Sequence, residues 1–330
     1  MVDIQPTDRE ITRSLDWTTK DLVSLTGSVV LVTGANSLAS IGGNIAHQLA
    51  LKGAKVYIGA RNLEKARAGI KEILAQSPSI ASSHLRPFVA AIDDYAAIKA
   101  AAEKFLEEET RLDILVNNAG ILPLSVDFDD YGINNVMATN HLGPFLLTKM
   151  LLPLLEKTAK EIPTSDVRIV NMSSTAIDAV PPECSFATLN AWNDPFGGDS
   201  NPFQFLHRYG YSKAANVLFT KELKRRFNEK STPVLVTAIH PGLVATPGSE
   251  KVMGVDSKEY KEALTAYEGA LTAVWAAAHP EVRAREGDFD GAFVMPYGAP
   301  RAVYGLAANM AEAETLWNVS EKILADIVGA

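Results

Sequence analysis

Short apolar runs recur along the chain, and their spacing restricts the fold more than any other feature. Ser28–Thr33 (SVVLVT), Lys55–Gly59 (KVYIG), Pro87–Ile92, Asp113–Asn117 (DILVN), Val167–Met172 (VRIVNM), Val234–His240 and Ala292–Met295 read as strands. The most continuous of them, SVVLVT, is rich in β-branched residues, as expected of a strand buried on both faces. Between the runs lie segments with helical periodicity at Gly42–Lys52, Asn62–Gln76, Ala96–Glu108, Asn134–Lys160 and His207–Phe227. Repeated strand–helix alternation closes through right-handed crossovers, which predicts an α/β fold, a doubly wound parallel sheet of about seven strands covered by helices on both faces. Such a sheet takes its ligand at the carboxyl ends of its strands, beside the point where the strand order reverses.

No internal repeat and no Pro/Gly/Ser linker divides the 330 residues, so one domain over 26–330 is expected behind a polar amino-terminal extension, 1–25. Two insertions interrupt the rhythm. One spans 181–206 and carries Phe186, Trp192, Phe196, Phe203 and Phe205; the other, 246–260, is rich in Gly, Ser and Lys and reads as mobile. The net charge of −8 disfavours nucleic acid or an anionic membrane as the main partner. The longest apolar stretch, Leu142 to Leu155, is broken by Pro144, Lys149 and Pro153 and is shorter than the about 20 residues a bilayer requires. The amino terminus has acidic residues where a leader needs basic and then apolar ones. Cys184 is the only cysteine, which suits a reducing compartment, and a cytoplasmic location is expected.

After the first strand comes TGANSLASIGGNIA, Thr33 to Ala46. Glycines at a strand-to-helix turn let the backbone approach a pyrophosphate, while the helix amino terminus presents N–H groups to it. In this the chain resembles the short-chain dehydrogenase/reductase family, a Rossmann-type fold whose usual turn is TGxxxGxG. Thr33 and Gly34 match; the middle glycine is missing and the turn is about two residues longer. The resemblance places Ser40 at the middle-glycine position, with Ile41 following and Gly42 as the last glycine.

The second strand ends VYIGARN, with Ala60 where a ribose-binding acid would stand and Arg61 next. An arginine there pairs with a 2′-phosphate, so NADP(H) is the expected cofactor. The family's aspartate after strand three falls on Ala91, and Asp93 is its nearest substitute. The tetrapeptide NNAG, Asn117 to Gly120, matches the family motif that shapes the cofactor cleft, with Asn118 and Gly120 as its contacts. HPGLVAT, His240 to Thr246, matches the motif after strand six, from which Val244 and Thr246 would hold the nicotinamide carboxamide.

Two YxxxK patterns occur. Tyr95 and Lys99 lie on the helix after strand three, with no serine-bearing strand before them, and read as helix surface. Tyr209 and Lys213 open a helix after a strand ending in Ser173 and Ser174, and as an i, i+4 pair they share one face. A phenol with a pKa of about 10 is a poor acid or base at neutral pH, and a neighbouring ammonium shifts it toward the working range. The resemblance implies that Tyr209 exchanges the proton and that Lys213 also holds the nicotinamide ribose. It further implies that Ser174 polarises the substrate oxygen and that Asn140, in MATNHLGPF, bends the long helix and holds a water near Lys213. Tyr211 has Ala215 four residues on and is no candidate. His141, His207 and His240 show no ligand spacing, so no metal site is expected.

The expected activity is NADPH-dependent reduction of an aldehyde or ketone, or the reverse alcohol oxidation. The aromatic insertion, arching over the substrate, suggests a bulky lipophilic small molecule, as in retinol-dehydrogenase-like and fungal secondary-metabolite reductases. The alternative is a dinucleotide-binding chain with a cyclase, isomerase or sensor role, favoured only by the altered turn. Relatives commonly pair through the long helices after strands four and five, the face that a homo-oligomer of this chain would use.

Overall fold

The computed structural model describes residues 14–329. Its strands are β1 (Val29–Val32), β2 (Lys55–Ala60), β3 (Leu85–Val89), β4 (Ile114–Asn117), β5 (Arg168–Met172), β6 (Leu235–Ile239), β7 (Phe293–Met295) and β8 (Ala299–Arg301). They form one sheet in the order β3-β2-β1-β4-β5-β6-β7-β8. Seven strands run parallel, and β8 turns back antiparallel to β7. This eighth strand is the one addition to the expected sheet. It is three residues long and carries Pro300, which an edge strand tolerates because one side of its backbone has no ladder to complete. The same tolerance lets Pro87 sit within β3 at the opposite edge, two residues later than that strand's start.

The helices are α1 (Ile41–Leu51), α2 (Leu63–Gln76), α3 (Tyr95–Glu108), α4 (Asn135–Met137), α5 (Gly143–Glu161), α6 (Leu189–Trp192) and α7 (Gln204–Glu229). They continue with α8 (Pro247–Met253), α9 (Lys258–Lys261), α10 (Ala266–Ala278), α11 (Pro280–Ala284), α12 (Glu286–Phe289) and α13 (Met310–Val328). Successive side chains of a strand point to opposite faces. Val30 and Val32 of β1 therefore pack with Ile45 and Leu49 of α1, Ile73 of α2 and Val274 and Trp275 of α10. Leu31 packs on the other face with Ile98 of α3, Phe145 of α5, Leu218 of α7 and Trp317 of α13. Burial on both sides is why these strands read as unbroken apolar runs.

Three local expectations change. The stretch 1–25 is not wholly an extension: Trp17, Leu22 and Leu25 are buried, and Trp17 Nε1 donates to the Tyr297 carbonyl at 3.2 Å. Its polar composition hid three spaced apolar anchors; residues 1–13 lie outside the described residues. Residues 246–260 are ordered into α8 and α9, the first started by Pro247 behind a Thr246 cap. The chain beyond β7, for which the sequence pattern named no element, carries α13, ended by Gly329 in the left-handed conformation.

Candidate active site

The strand order reverses between β1 and β4, and the candidate residues collect at the carboxyl ends of those strands and of β5. Thr33 ties the two sides together. Its hydroxyl accepts the Asn118 and Ala119 N–H groups at 3.0 Å each, and Asn118 Nδ2 donates back to the Thr33 carbonyl at 2.8 Å. Gly34 turns the chain at φ +66°. Gly42 enters α1 so close to the turn that a Cβ would fall on the Gly34 carbonyl and the Asn118 amide, and one on Gly43 would fall on the Ser37 carbonyl. The expectation that Gly42 closes the turn therefore has a steric basis, and Gly43, which the motif comparison missed, shares it.

Ser40 caps α1, accepting the Gly43 N–H at 3.2 Å and donating to the Ser37 carbonyl at 2.7 Å, while Ile41 is the first residue of the helix. The added residues are held from outside the motif. Glu72 on α2 accepts hydrogen bonds from Ser37 Oγ at 3.1 Å and Leu38 N at 2.8 Å. Gly69 brings α2 against Asn36, where a Cβ would stand 2.9 Å from the Asn36 Cα. The turn stands at the amino terminus of α1, and the absence of a Cβ at Gly34 and Gly42 leaves backbone there to meet the pyrophosphate of a dinucleotide.

Arg61 stands exposed at the end of β2, just before the Asn62 cap of α2. Asp93 is exposed in the turn after β3, and its neighbour Asp94 caps α3 through Ala97 N at 2.9 Å. Val244 is buried, and its carbonyl accepts from Ser249 Oγ at 2.7 Å. The Thr246 hydroxyl, expected to face a carboxamide, takes part in a capping box with Ser249, accepting the Ser249 N–H at 3.2 Å.

Ser174, Tyr209, Lys213 and Asn140 come together. The α4–α5 helix contains a π turn, Ala138–Leu142, which is the distortion expected at Asn140. There Asn140 accepts the Ile121 N–H at 2.7 Å and donates to the Ile121 carbonyl at 3.0 Å and to Ser212 Oγ at 2.9 Å. A Cβ on Gly120 would lie 3.2 Å from Lys213 Nζ and 3.1 Å from Asn140 Oδ1, so NNAG, the π turn and α7 meet at one point. Lys213 Nζ lies 5.4 Å from the centre of the Tyr209 ring and donates to the Met172 carbonyl at 3.2 Å.

The electrostatics differ from expectation in one respect. Burial pushes the Tyr209 phenol up to about 12, opposed by its hydrogen bond with Ser174, and the same burial pulls the Lys213 ammonium down to about 8. The phenol is thus held protonated rather than drawn toward ionisation. Beneath the site runs a buried polar ladder that motif matching passed over. Asn117 Nδ2 donates to Thr148 Oγ1 at 2.9 Å and to Asn171 Oδ1 at 2.8 Å, and Asn171 Nδ2 donates to Thr220 Oγ1 at 2.9 Å. It fastens β4, β5, α5 and α7 below the catalytic face.

Residues 28–185 match the family model for short chain dehydrogenase. Over 92% of its length the chain is 36% identical to the short chain dehydrogenase/reductase dpchH of Colletotrichum higginsianum, covering 77% of that protein. The chain belongs to the short-chain dehydrogenase/reductase family. It is also 35% identical to retinol dehydrogenase 12 of Bos taurus, over 92% of this chain and 88% of that one. A short chain dehydrogenase from Escherichia coli CFT073, solved with NADPH, shares the fold at a TM-score of 0.60 and 21% identity, over 83% of this chain and 97% of that one. As a short-chain dehydrogenase/reductase it is an oxidoreductase of CH–OH and carbonyl groups that works with a nicotinamide dinucleotide.

For a member of this family the insertion before Tyr209 is long, and its aromatics are not arrayed over a substrate as expected. Phe186, Trp192 and Phe196 are buried, with Phe186 stacked on Tyr211 at 4.3 Å and Trp192 against His141 at 5.6 Å; Phe203 alone is well exposed. Desolvation of large rings outweighs any lid role for them. Tyr211, whose hydroxyl donates to the Ser185 carbonyl at 2.7 Å, anchors the insertion. The decoy Tyr95 donates to Asp129 at 2.9 Å. Among the described residues no helix is long and apolar enough to cross a membrane, and no group of three His, Cys, Asp or Glu is placed to hold a metal ion.

Proposed function

We propose that this chain is an NADP(H)-dependent carbonyl reductase, running as an alcohol dehydrogenase in reverse, whose substrate has a bulky lipophilic body. The observation that carries the reading is the convergence of Ser174, Tyr209 and Lys213 at the carboxyl end of β5. Gly34, Ser40, Ile41, Gly42, Asn118, Gly120, Val244 and Thr246 line the path for the dinucleotide, with Asp93 at its adenine end. Arg61, exposed and followed by no acid at the β2 end, supports 2′-phosphate recognition. Bound there, the nicotinamide supplies the hydride for reduction or accepts it in oxidation.

Ser174 Oγ and Tyr209 Oη present two donors to the substrate oxygen. As the carbonyl carbon takes up hydride, the oxygen gains charge, and Tyr209 gives it the phenolic proton, so that C=O becomes CH–OH. The phenolate left behind is stabilised by the Lys213 ammonium above its ring and is reprotonated before the next turnover. A phenol held near 12 is fully protonated at neutral pH, which prepares the reduction direction. The kinship with a retinol dehydrogenase supports a lipophilic substrate, and the single thiol, Cys184, suits a reducing, cytoplasmic setting.

The test is loss of NADPH absorbance across a panel of lipophilic aldehydes and ketones, with NADPH and NADH titrated calorimetrically into wild type and Arg61→Ala. Turnover abolished by Tyr209→Phe, with NADPH affinity lowered roughly tenfold or more by Arg61→Ala and NADH affinity unchanged, supports both parts. Turnover that survives Tyr209→Phe, or equal loss of both cofactors, overturns the corresponding part.

A further inference from the structure

Gly210 stands next to Tyr209 inside α7, in ordinary helical backbone, where glycine is the poorest choice after proline and no left-handed turn calls for it. Its surroundings supply the reason. A Cβ there would lie 2.2 Å from the Ala176 carbonyl oxygen and 3.2 Å from Val180 Cγ2. The nearer atom is backbone and cannot rotate away. Gly210 is therefore the point at which the short helical turn Thr175–Ala179 rests directly on α7.

That turn begins at Ser174. The Ala176 N–H donates to Ser174 Oγ at 3.2 Å, which engages the hydroxyl as an acceptor and leaves its proton for Tyr209, its hydrogen-bond partner, or for a substrate oxygen. Toward its other end Asp178 pairs with Arg301 of β8 at 2.6 Å. The turn is thus held between α7 and the edge strand, and Ser174 takes its direction from it. α7 is fixed independently. Ser173 Oγ donates to the Lys213 carbonyl at 2.8 Å, and Ser212 Oγ, which accepts from Asn140, donates to the Tyr209 carbonyl at 2.7 Å. A side chain added at Gly210 would displace the turn rather than the helix, and would carry Ser174 away from Tyr209.

We propose that Gly210 is a positioning residue for Ser174: its missing side chain seats the Thr175–Ala179 turn on α7, and that seat, with the Asp178–Arg301 tie, sets the serine hydroxyl against Tyr209. The inference rests on the reductase reading and adds to it the residues that aim its second donor. Two donors must converge on one developing oxyanion, so a displacement of about 1 Å in one of them costs rate without touching the cofactor.

The experiment places Gly210→Ala and Asp178→Asn in wild type and in Ser174→Ala, and reads kcat for reduction of a lipophilic aldehyde beside NADPH affinity by calorimetry. In wild type Gly210→Ala should lower kcat roughly tenfold to a hundredfold and Asp178→Asn roughly threefold to tenfold, with NADPH affinity held within about twofold. In Ser174→Ala, where no hydroxyl remains to be placed, either substitution should change the residual kcat less than about twofold. A kcat that Gly210→Ala or Asp178→Asn leaves unchanged in wild type, or a loss that recurs in full on the Ser174→Ala background, overturns the proposal. If Gly210→Ala no longer binds NADPH, Asp178→Asn decides by the same criterion. If wild type reduces no carbonyl compound, the reductase reading fails and hydrogen exchange at the Ala176 amide decides the positioning. Protection lost alike in Ser174→Ala and Gly210→Ala supports it, and protection that survives Gly210→Ala rejects it.

Discussion

The carboxylate of Glu72 accepts the Leu38 N–H at 2.8 Å, across a gap of 34 residues, and so ties the widened phosphate turn to α2. Without this contact the added residues would pay their ordering entropy when the dinucleotide binds. Glu72→Ala should weaken NADPH binding roughly threefold to tenfold, the range of a single exposed hydrogen bond, and Glu72→Gln should retain most of the affinity. Calorimetric titration decides it. Tighter binding by the alanine variant would mean that repulsion between carboxylate and phosphate outweighs the brace.

The charge state of Lys213 sets an expected pH dependence for reduction. With burial holding the ammonium near 8, it is charged below that value and neutral above it, whereas Tyr209, near 12, keeps its proton throughout. The phenolate formed during turnover therefore loses its counter-charge as pH rises through about 8. The kcat for reduction should be level from pH 6 to 7.5 and fall above 8. Lys213→Arg, slower but always charged, should show no fall in that range. An unchanged limb near 8 in the arginine variant would assign it to another group.

His141, one residue along the π turn from Asn140, is fully buried, and burial pulls its pKa from 6.5 to about 3. Its Nε2 meets Ser320 Oγ at 2.9 Å, and its ring packs against Phe145, Trp192 and Phe219. Below pH 6.5 the unfolded chain binds a proton that the folded chain refuses, so stability falls with acid. At pH 5 the loss from this residue is about 2 kcal/mol relative to pH 8. Chemical denaturation at both pH values should show the gap narrowing by that amount in His141→Phe. An equal gap in both proteins would place the acid sensitivity elsewhere.

How much of this was legible in the sequence follows from where each interaction lies. β1 to β7 could be read because strands inside a covered sheet are dominated by apolar, β-branched residues, with polar ones such as Asn117 and Asn171 admitted only where they hydrogen-bond one another, and Tyr209 with Lys213 because a helix repeats its face every fourth position. The Thr265 and Glu268 capping box and the spacing of Ala313, Leu316, Trp317, Ser320 and Leu324 announced α10 and α13, yet both lie away from the motif-bearing segments. β8 has three residues, too few for periodicity. Glu72 was beyond reach for another reason. It acts on a backbone N–H, which leaves no residue-type pattern. The aromatic insertion misled because five rings in a loop look the same from sequence whether they face a substrate or the core.

α13 also bears on assembly. Trp317 stacks on Phe219 of α7 at 5.9 Å, meets Phe145 of α5 edge-on at 4.9 Å and lies under the Arg226 guanidinium at 3.9 Å. Lys149 of α5 pairs with Glu321 at 2.9 Å. The groove between the two long helices, the face that a homo-oligomer would use, is thus filled by the chain's own carboxyl-terminal helix. Light scattering at micromolar concentration should give a mass near the 35.5 kDa monomer. Trp317→Ala removes a buried ring, at about 3–5 kcal/mol, and uncovers Phe145 and Phe219, so it should lower the melting temperature and produce concentration-dependent association. A wild-type dimer whose contacts map to α5 and α7 by hydrogen exchange would show that α13 gives way to a partner.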